Sequence, residues 1–197
     1  MKRALSIPVM ASVLTYNAPA TTTWTVDNVH SSVKFAVSHL VISEVEGSFK
    51  MYGGTVRSNG PEFTDADVEF TVDVNSIDTD NGMRDKHLRS DDFFNAEQFP
   101  QMSFKSISWR KVEGRRYVVE GEMTIRDVTR RVAFDVMYGG TMKDSYGNVK
   151  AGFKATTTIN RFDFGLKWNA LTEAGGATVG KDVSITLNLE LTQQEPS

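Results

Sequence analysis

From Thr23 onward the chain alternates apolar and polar residues one by one, the period-two pattern of strands with one buried face. Val33, Phe35, Val37 and His39 alternate with Ser32, Lys34, Ala36 and Ser38. Val68, Phe70, Val72 and Val74 alternate with Glu69, Thr71 and Asp73. Tyr117, Val119, Met123 and Ile125 share one face, as do Val132, Phe134, Val136 and Tyr138. Near the end, Val183, Ile185, Leu187, Leu189 and Leu191 repeat the pattern. Turn-forming residues punctuate these runs at Gly53-Gly54, Ser58-Asn59-Gly60-Pro61, Glu113-Gly114, Gly139-Gly140, Tyr146-Gly147-Asn148 and Gly175-Gly176. About eight or nine antiparallel strands at short spacing predict an all-β sandwich or barrel.

One stretch breaks the alternation. Residues 80–91 carry few β-branched side chains and predict a short helix near residues 80–92, with Asp80 as cap and Met83, His87 and Leu88 on one face. Phe93-Phe94 and Phe99-Pro100 follow it, so the helix predicts a lid or a plug at one end of the β-structure.

Length and composition narrow the function classes. A chain of 197 residues with 40% hydrophobic residues fits one domain with a sizeable core. The net charge of −3 and the short basic clusters Arg110-Lys111, Arg115-Arg116 and Arg130-Arg131 argue against a nucleic-acid partner. Cysteine is absent, which removes disulfides, thiolate metal sites and a cysteine nucleophile. Lys2-Arg3, the apolar run Ala4 to Leu14 and Ala18-Pro19-Ala20 form a secretory-leader pattern over residues 1–20, although Pro8 and Pro19 interrupt it. That pattern predicts a periplasmic or secreted protein whose domain spans 21–197. A leader that is not a signal peptide would leave the protein cytoplasmic. No segment is apolar over the ~20 residues of a stable membrane span.

Chemistry of other kinds finds no support in spacing. His30, His39 and His87 are isolated, without the HxH or HxxxH pairs of a metal site. His39 lies on the apolar face of its run, where it either meets a ligand head group or fills polar core space. No GxSxG elbow occurs, and His30-Ser31-Ser32 would point alternately to opposite faces. Asp73, Asp78 and Asp80 lack the ligand order of an EF-hand, and 175–180 lacks the context of a nucleotide loop. No cofactor, resident metal or catalytic residue is expected, and the chain is not expected to be an enzyme. The positive feature is aromatic content, 12 Phe, 5 Tyr and 3 Trp, many on inward faces. Periodicity alone cannot say whether these fill a barrel or line one.

Ordered motifs supply the next step. Trp24-Thr25-Val26-Asp27, His30-Ser31-Ser32-Val33-Lys34-Phe35, His39-Leu40 and Gly47-Ser48-Phe49 open the series. Ile77-Asp78-Thr79, the block from Arg84 to Phe94, Phe99-Pro100 and Phe104 continue it. Gly121 to Thr129 and Asn160-Arg161-Phe162-Asp163-Phe164-Gly165 complete it. In this combination the chain resembles the YceI-like polyisoprenoid-binding proteins, bacterial proteins with a lipocalin-like barrel, from about Thr23 to Thr192. Asp127-Val128-Thr129 departs from the Gly-Val-Thr turn of that pattern.

The resemblance implies an extended eight-stranded antiparallel barrel enclosing a tunnel for a long lipid-like chain, such as a polyisoprenoid, an isoprenoid quinone or a fatty amide. It also implies a possible homodimer. On this basis the tunnel wall is expected from Phe35, Val37, Phe49, Phe70, Phe93 and Phe94, together with Phe104, Met123, Phe134, Phe153 and Trp168. Arg84, His87 and Arg161, with His39, are the candidates for polar contact with a head group. For the arginines the alternative is structural pairing with Asp85, Asp91 or Asp163. The expected function is binding, storage or transport of the chain. The alternatives are a solidly packed stress-response interaction protein and an enzyme acting on an isoprenoid lipid.

Overall fold

In the computed structural model, which describes residues 21–170 and 178–195, one antiparallel sheet closes on itself. Its strands are β1 (Thr22–Val26), β2 (Ser32–His39), β3 (Ser43–Phe49), β4 (Tyr52–Ser58), β5 (Asp67–Asp73) and β6 (Ile77–Asp78). After helix α1 (Gly82–Arg89) come β7 (Gln101–Glu113), β8 (Arg116–Ile125), β9 (Val128–Lys143), β10 (Val149–Asn160) and β11 (Val179–Gln193). β1 and β2 pair with the same edge of β11, β1 through Leu191–Gln193 and β2 through Val179–Asn188. They are therefore two halves of one stave. β3 and β4 form the next stave, pairing with β2 and β1, and β5 and β6 form a third, pairing with β4 and β3. Five unbroken strands complete an eight-stave, up-and-down barrel, the lipocalin-like closure expected from the motifs.

Up-and-down connectivity fixes which loops share an end. The β4–β5 loop and the β7–β8 and β9–β10 hairpins gather at one end, called the floor here. The β2–β3 hairpin, α1, the β8–β9 turn and the β10–β11 connection gather at the other, the helix end. The alternating residues face inward as expected: Val119, Met123, Val132, Phe134, Val136, Leu187 and Leu191 are all buried.

Several local expectations require correction. Gly53-Gly54 is not a turn but lies inside β4. A Cβ on Gly54 would stand 2.6 Å from Phe70 Cδ2 and 2.8 Å from the Glu69 carbonyl, so glycine permits close packing there. Gly139-Gly140 lies inside β9, where Gly139 is the extra residue of a bulge opposite Gly152 and Phe153, and Gly140 has φ +116°. The cap of α1 is Asn81 rather than Asp80, its Oδ1 accepting the Arg84 N–H at 3.1 Å. Met83 faces solvent, while the buried residue of α1 is Asp85, which accepts from Thr79 N and Oγ1. The leader 1–20 and Gly175-Gly176 lie outside the described residues.

Candidate functional site

A cavity of about 220 Å³ runs inside the barrel. Its lining is apolar except for Lys34, Ser103 and Arg161. Among the expected wall residues, Phe35, Val37, Phe49, Phe70, Phe93, Phe94, Phe104, Met123, Phe134 and Phe153 all border it. Trp168 does not. It packs at the helix end against His87 and Phe93, with ring centroids 4.9 and 5.3 Å away. His39 also lies off the wall, at the last pair of β2 with Ser43 and Val179.

The floor is built by a loop that turns one phenylalanine inward. The Asp65 carboxylate accepts from Ser58 Oγ and Asn59 N, both at 2.9 Å, and tightens the β4–β5 loop. Within it Phe63 adopts φ +55° and is 1% exposed. A bulky residue holds that left-handed conformation only when its surroundings over-determine it. Here they do: Phe63 meets Trp24 at 5.4 Å, Tyr138 at 5.5 Å, Phe153 at 5.0 Å and Trp109 at 6.2 Å.

At the helix end, Phe93 and Phe94 are held by main-chain bonds to Ser90 and Leu88, and Arg126 Nη1 donates to the Phe93 carbonyl at 3.1 Å. Phe94 meets Phe49 edge-on at 6.1 Å, and Phe49 meets Phe35 at 5.6 Å. The helix and its following loop thus extend the wall rather than stand apart from it.

The polar candidates are committed to the protein. Arg84 Nε donates to Thr79 Oγ1 at 2.8 Å and Nη2 to the Thr79 carbonyl at 2.6 Å. His87 Nε2 contacts Asp92 Oδ2 at 2.9 Å. Arg161 borders the cavity and is 3% exposed, yet four of its five N–H donors go to carbonyls. Nε donates to Gly180, Nη1 to Leu166 and Trp168, and Nη2 to Val179. These carbonyls belong to both flanks of the β10–β11 connection, so the guanidinium clips its two stems together. Burial lowers the guanidinium pKa, but the group stays charged at any ordinary pH. Neither arginine takes Asp85, Asp91 or Asp163 as partner: Arg84 is held by the hydroxyl and carbonyl of Thr79, and Arg161 by four main-chain carbonyls.

A second polar cluster lies where β1 passes into β2. Lys150 Nζ stands 2.7 Å from Asp27 Oδ2 and 3.2 Å from Glu190 Oε1, and His30 Nδ1 is 3.1 Å from the same Asp27 oxygen. Asp27, His30 and Glu190 are close enough to hold a cation, but the Lys150 ammonium already pairs with two of them, Asp27 and Glu190. The hydrogen bond from Lys150, and then that from His30, hold the Asp27 carboxyl well below the usual carboxylate range. Ser31 Oγ accepts the Glu190 N–H at 2.9 Å. These contacts staple the broken stave to β10 and β11, and His30-Ser31-Ser32 serves this junction.

Cavity residues that the alternation did not mark include Leu88, Leu166 and Trp109. Trp109 escapes the pattern because β7 carries a bulge at Ile107, between the pairs Ser106–Gly121 and Ser108–Glu120. Met102 and Phe104 line the cavity at even positions, and the extra residue moves the inward face to the odd position of Trp109.

Comparison with known proteins matches residues 24–191 to the YceI-like domain. UPF0312 proteins of Staphylococcus aureus are 36% identical over 177 residues, covering 88% of this chain and 99% of the relative. A YceI protein of Campylobacter jejuni shares 29% identity and superposes with a TM-score of 0.69, over 80% of this chain and 90% of that one. A polyisoprenoid binding domain from Saccharophagus degradans shares the fold at 14% identity, with a TM-score of 0.63 over 87% and 98% of the two chains.

Proposed function

The chain belongs to the YceI-like domain family, and from that premise we propose that it binds a long, isoprenoid-type apolar chain inside the barrel and carries it without chemical change. The observation that carries this reading is the continuous apolar cavity of about 220 Å³. At roughly 25–30 Å³ for each packed chain group, that space takes about seven to nine chain atoms. Each buried methylene contributes about 0.8 kcal/mol, so these gain roughly 6–7 kcal/mol before ordering and association are deducted. The polyisoprenoid binding of a protein of like fold agrees with such a ligand.

Carriage rather than catalysis is supported by the lining. No carboxylate and no histidine borders the cavity among the described residues; of the basic residues that do, Lys34 is exposed and Arg161 is held by main-chain carbonyls. The charged-then-apolar leader supports export, where a lipid chain needs a dry compartment to cross water.

The test is native mass spectrometry of the purified protein before and after organic extraction, followed by titration of the stripped protein with prenyl alcohols. A bound lipid that is recovered unaltered, and saturable rebinding, are expected. Protein that is empty as purified and takes up no prenyl chain would overturn the proposal. Recovery of a chemically altered chain would turn it toward an enzyme.

A further inference from the structure

The floor of the cavity carries a polar group that the protein itself leaves unused. Trp109 borders the cavity from β7, and its indole Nε1 is buried without a hydrogen-bond partner among the described residues. Folded proteins leave few buried donors unpaired, because an N–H stripped of water and given no acceptor destabilises the native state. The Trp109 ring stands in an aromatic corner, parallel to Phe63 and edge-on to Tyr117 and Phe153 at 6.0 and 5.8 Å.

At the opposite end the donors that the motifs nominated are engaged. Four donors of Arg161 are taken by main-chain carbonyls, and Arg84 and His87 are engaged with Thr79 and Asp92. Among the described residues Arg126 Nε at the helix end is also buried without a partner, but Arg126 does not border the cavity. The unpartnered donor on the cavity wall is Trp109 Nε1, at the floor and away from the residues that the motifs nominated for a head group.

On the reading that the cavity holds an isoprenoid-type chain, we infer that the chain carries a terminal oxygen and lies with that end innermost. A hydroxyl or carbonyl oxygen at the floor accepts the Trp109 Nε1–H. The ring of Phe153 borders that end, with Phe63 packed behind it and behind Trp109, and the hydrocarbon runs up the barrel toward α1. A pure hydrocarbon of the same length gains the apolar transfer but leaves the indole donor unpaired. The cavity therefore selects for an oxygen-bearing end by the hydrogen bond it completes.

The experiment compares geranylgeraniol with its corresponding hydrocarbon on extracted, full-length protein, by competition against a fluorescent fatty probe. The Trp109→Phe variant keeps an aromatic ring and removes the donor. Wild type is expected to favour the alcohol, and the variant to lose about tenfold of that preference, the worth of one hydrogen bond, read as the alcohol-to-hydrocarbon affinity ratio within each protein. In parallel, the Trp109 indole ¹⁵N–H resonance of wild type is expected to move downfield on adding the alcohol and not the hydrocarbon, which serves as the readout should the variant fold poorly. An alcohol-to-hydrocarbon ratio that is the same in both proteins, or an indole resonance that the alcohol leaves unmoved, overturns the inference while leaving lipid binding intact. Failure of wild type to bind either probe overturns the function on which it rests.

Discussion

Filling the cavity from its wall should shorten the chain it accepts. Ala155 faces the interior from β10, in register with Val136 on one side and Leu187 on the other, and borders the cavity. In Ala155→Phe a phenyl group takes the place of about six chain carbons, each worth ~0.8 kcal/mol on burial, so a ligand that fills the barrel loses about 5 kcal/mol. At about 1.4 kcal/mol per tenfold, this is a fall of three orders of magnitude. A chain able to slide outward recovers part of it, so the expected loss is at least a hundredfold for the longest ligands and little for short ones. The assay is competition binding of prenyl alcohols of increasing length to extracted wild type and variant, with thermal melts as a folding control. The length giving the tightest binding should shorten by about six carbons, while the melting temperature holds or rises because a dry void is filled. A folded variant with an unchanged length optimum would show that the chain does not lie along this wall.

Two further outcomes follow from the polar groups. Arg161→Met removes donors from four main-chain carbonyls at the stems of the β10–β11 connection and should cost about 3–5 kcal/mol, read as a lowered urea midpoint; an unshifted midpoint would show that the clip contributes nothing. Asp27→Asn should cost about 1–2 kcal/mol at neutral pH, the worth of hydrogen bonds to a charged group. Because the folded pKa of Asp27 lies below its ordinary value of 3.8, this contribution is present above that value and is lost as pH falls through the lower, folded one. Lys150, whose pKa is raised chiefly by Asp27, keeps its side of the pair until the pH climbs past 10.5 and through its folded value. Denaturation of both proteins should therefore show a gap that is constant near neutrality and closes below pH ~4; a gap that persists in acid would refute the linkage.

The barrel was legible wherever a strand buries one face without interruption. β5, β8, β9 and β11 keep their parity over the runs that the alternation marked, so Val72, Val119, Val136 and Leu187 lie where they were expected. Parity fails where a bulge adds a residue, and neither Ile107 nor Gly139 advertises this in sequence. A glycine pair looks the same whether it makes a turn or lies within a strand, which is why the sequence predicts turns at Gly53-Gly54 and Gly139-Gly140 where the structure has strand. The break between β1 and β2 depends on Lys150 and Glu190, more than a hundred positions away in sequence. Local pattern holds no trace of such partners. The same holds for Arg161, whose role follows from carbonyls brought together only by the closed barrel.

Whether such a barrel is solid or hollow depends on where its large side chains lie, and three cross-strand contacts decide it here. A Cβ on Gly47 would fall 2.4 Å from Phe35 Cζ, one on Gly54 2.6 Å from Phe70 Cδ2, and one on Gly121 2.4 Å from Phe104 Cζ. In each case the missing side chain lets a phenyl ring lie along the neighbouring strand instead of standing toward the barrel axis. An eight-stranded barrel is only just wide enough for its own side chains to fill. Three rings turned toward its axis would leave no room for a chain. Pressed against the wall, the same rings supply apolar surface and leave the axis open. The aromatic residues counted in the sequence are thus compatible with either interior, and the inward glycines beside them select the hollow one.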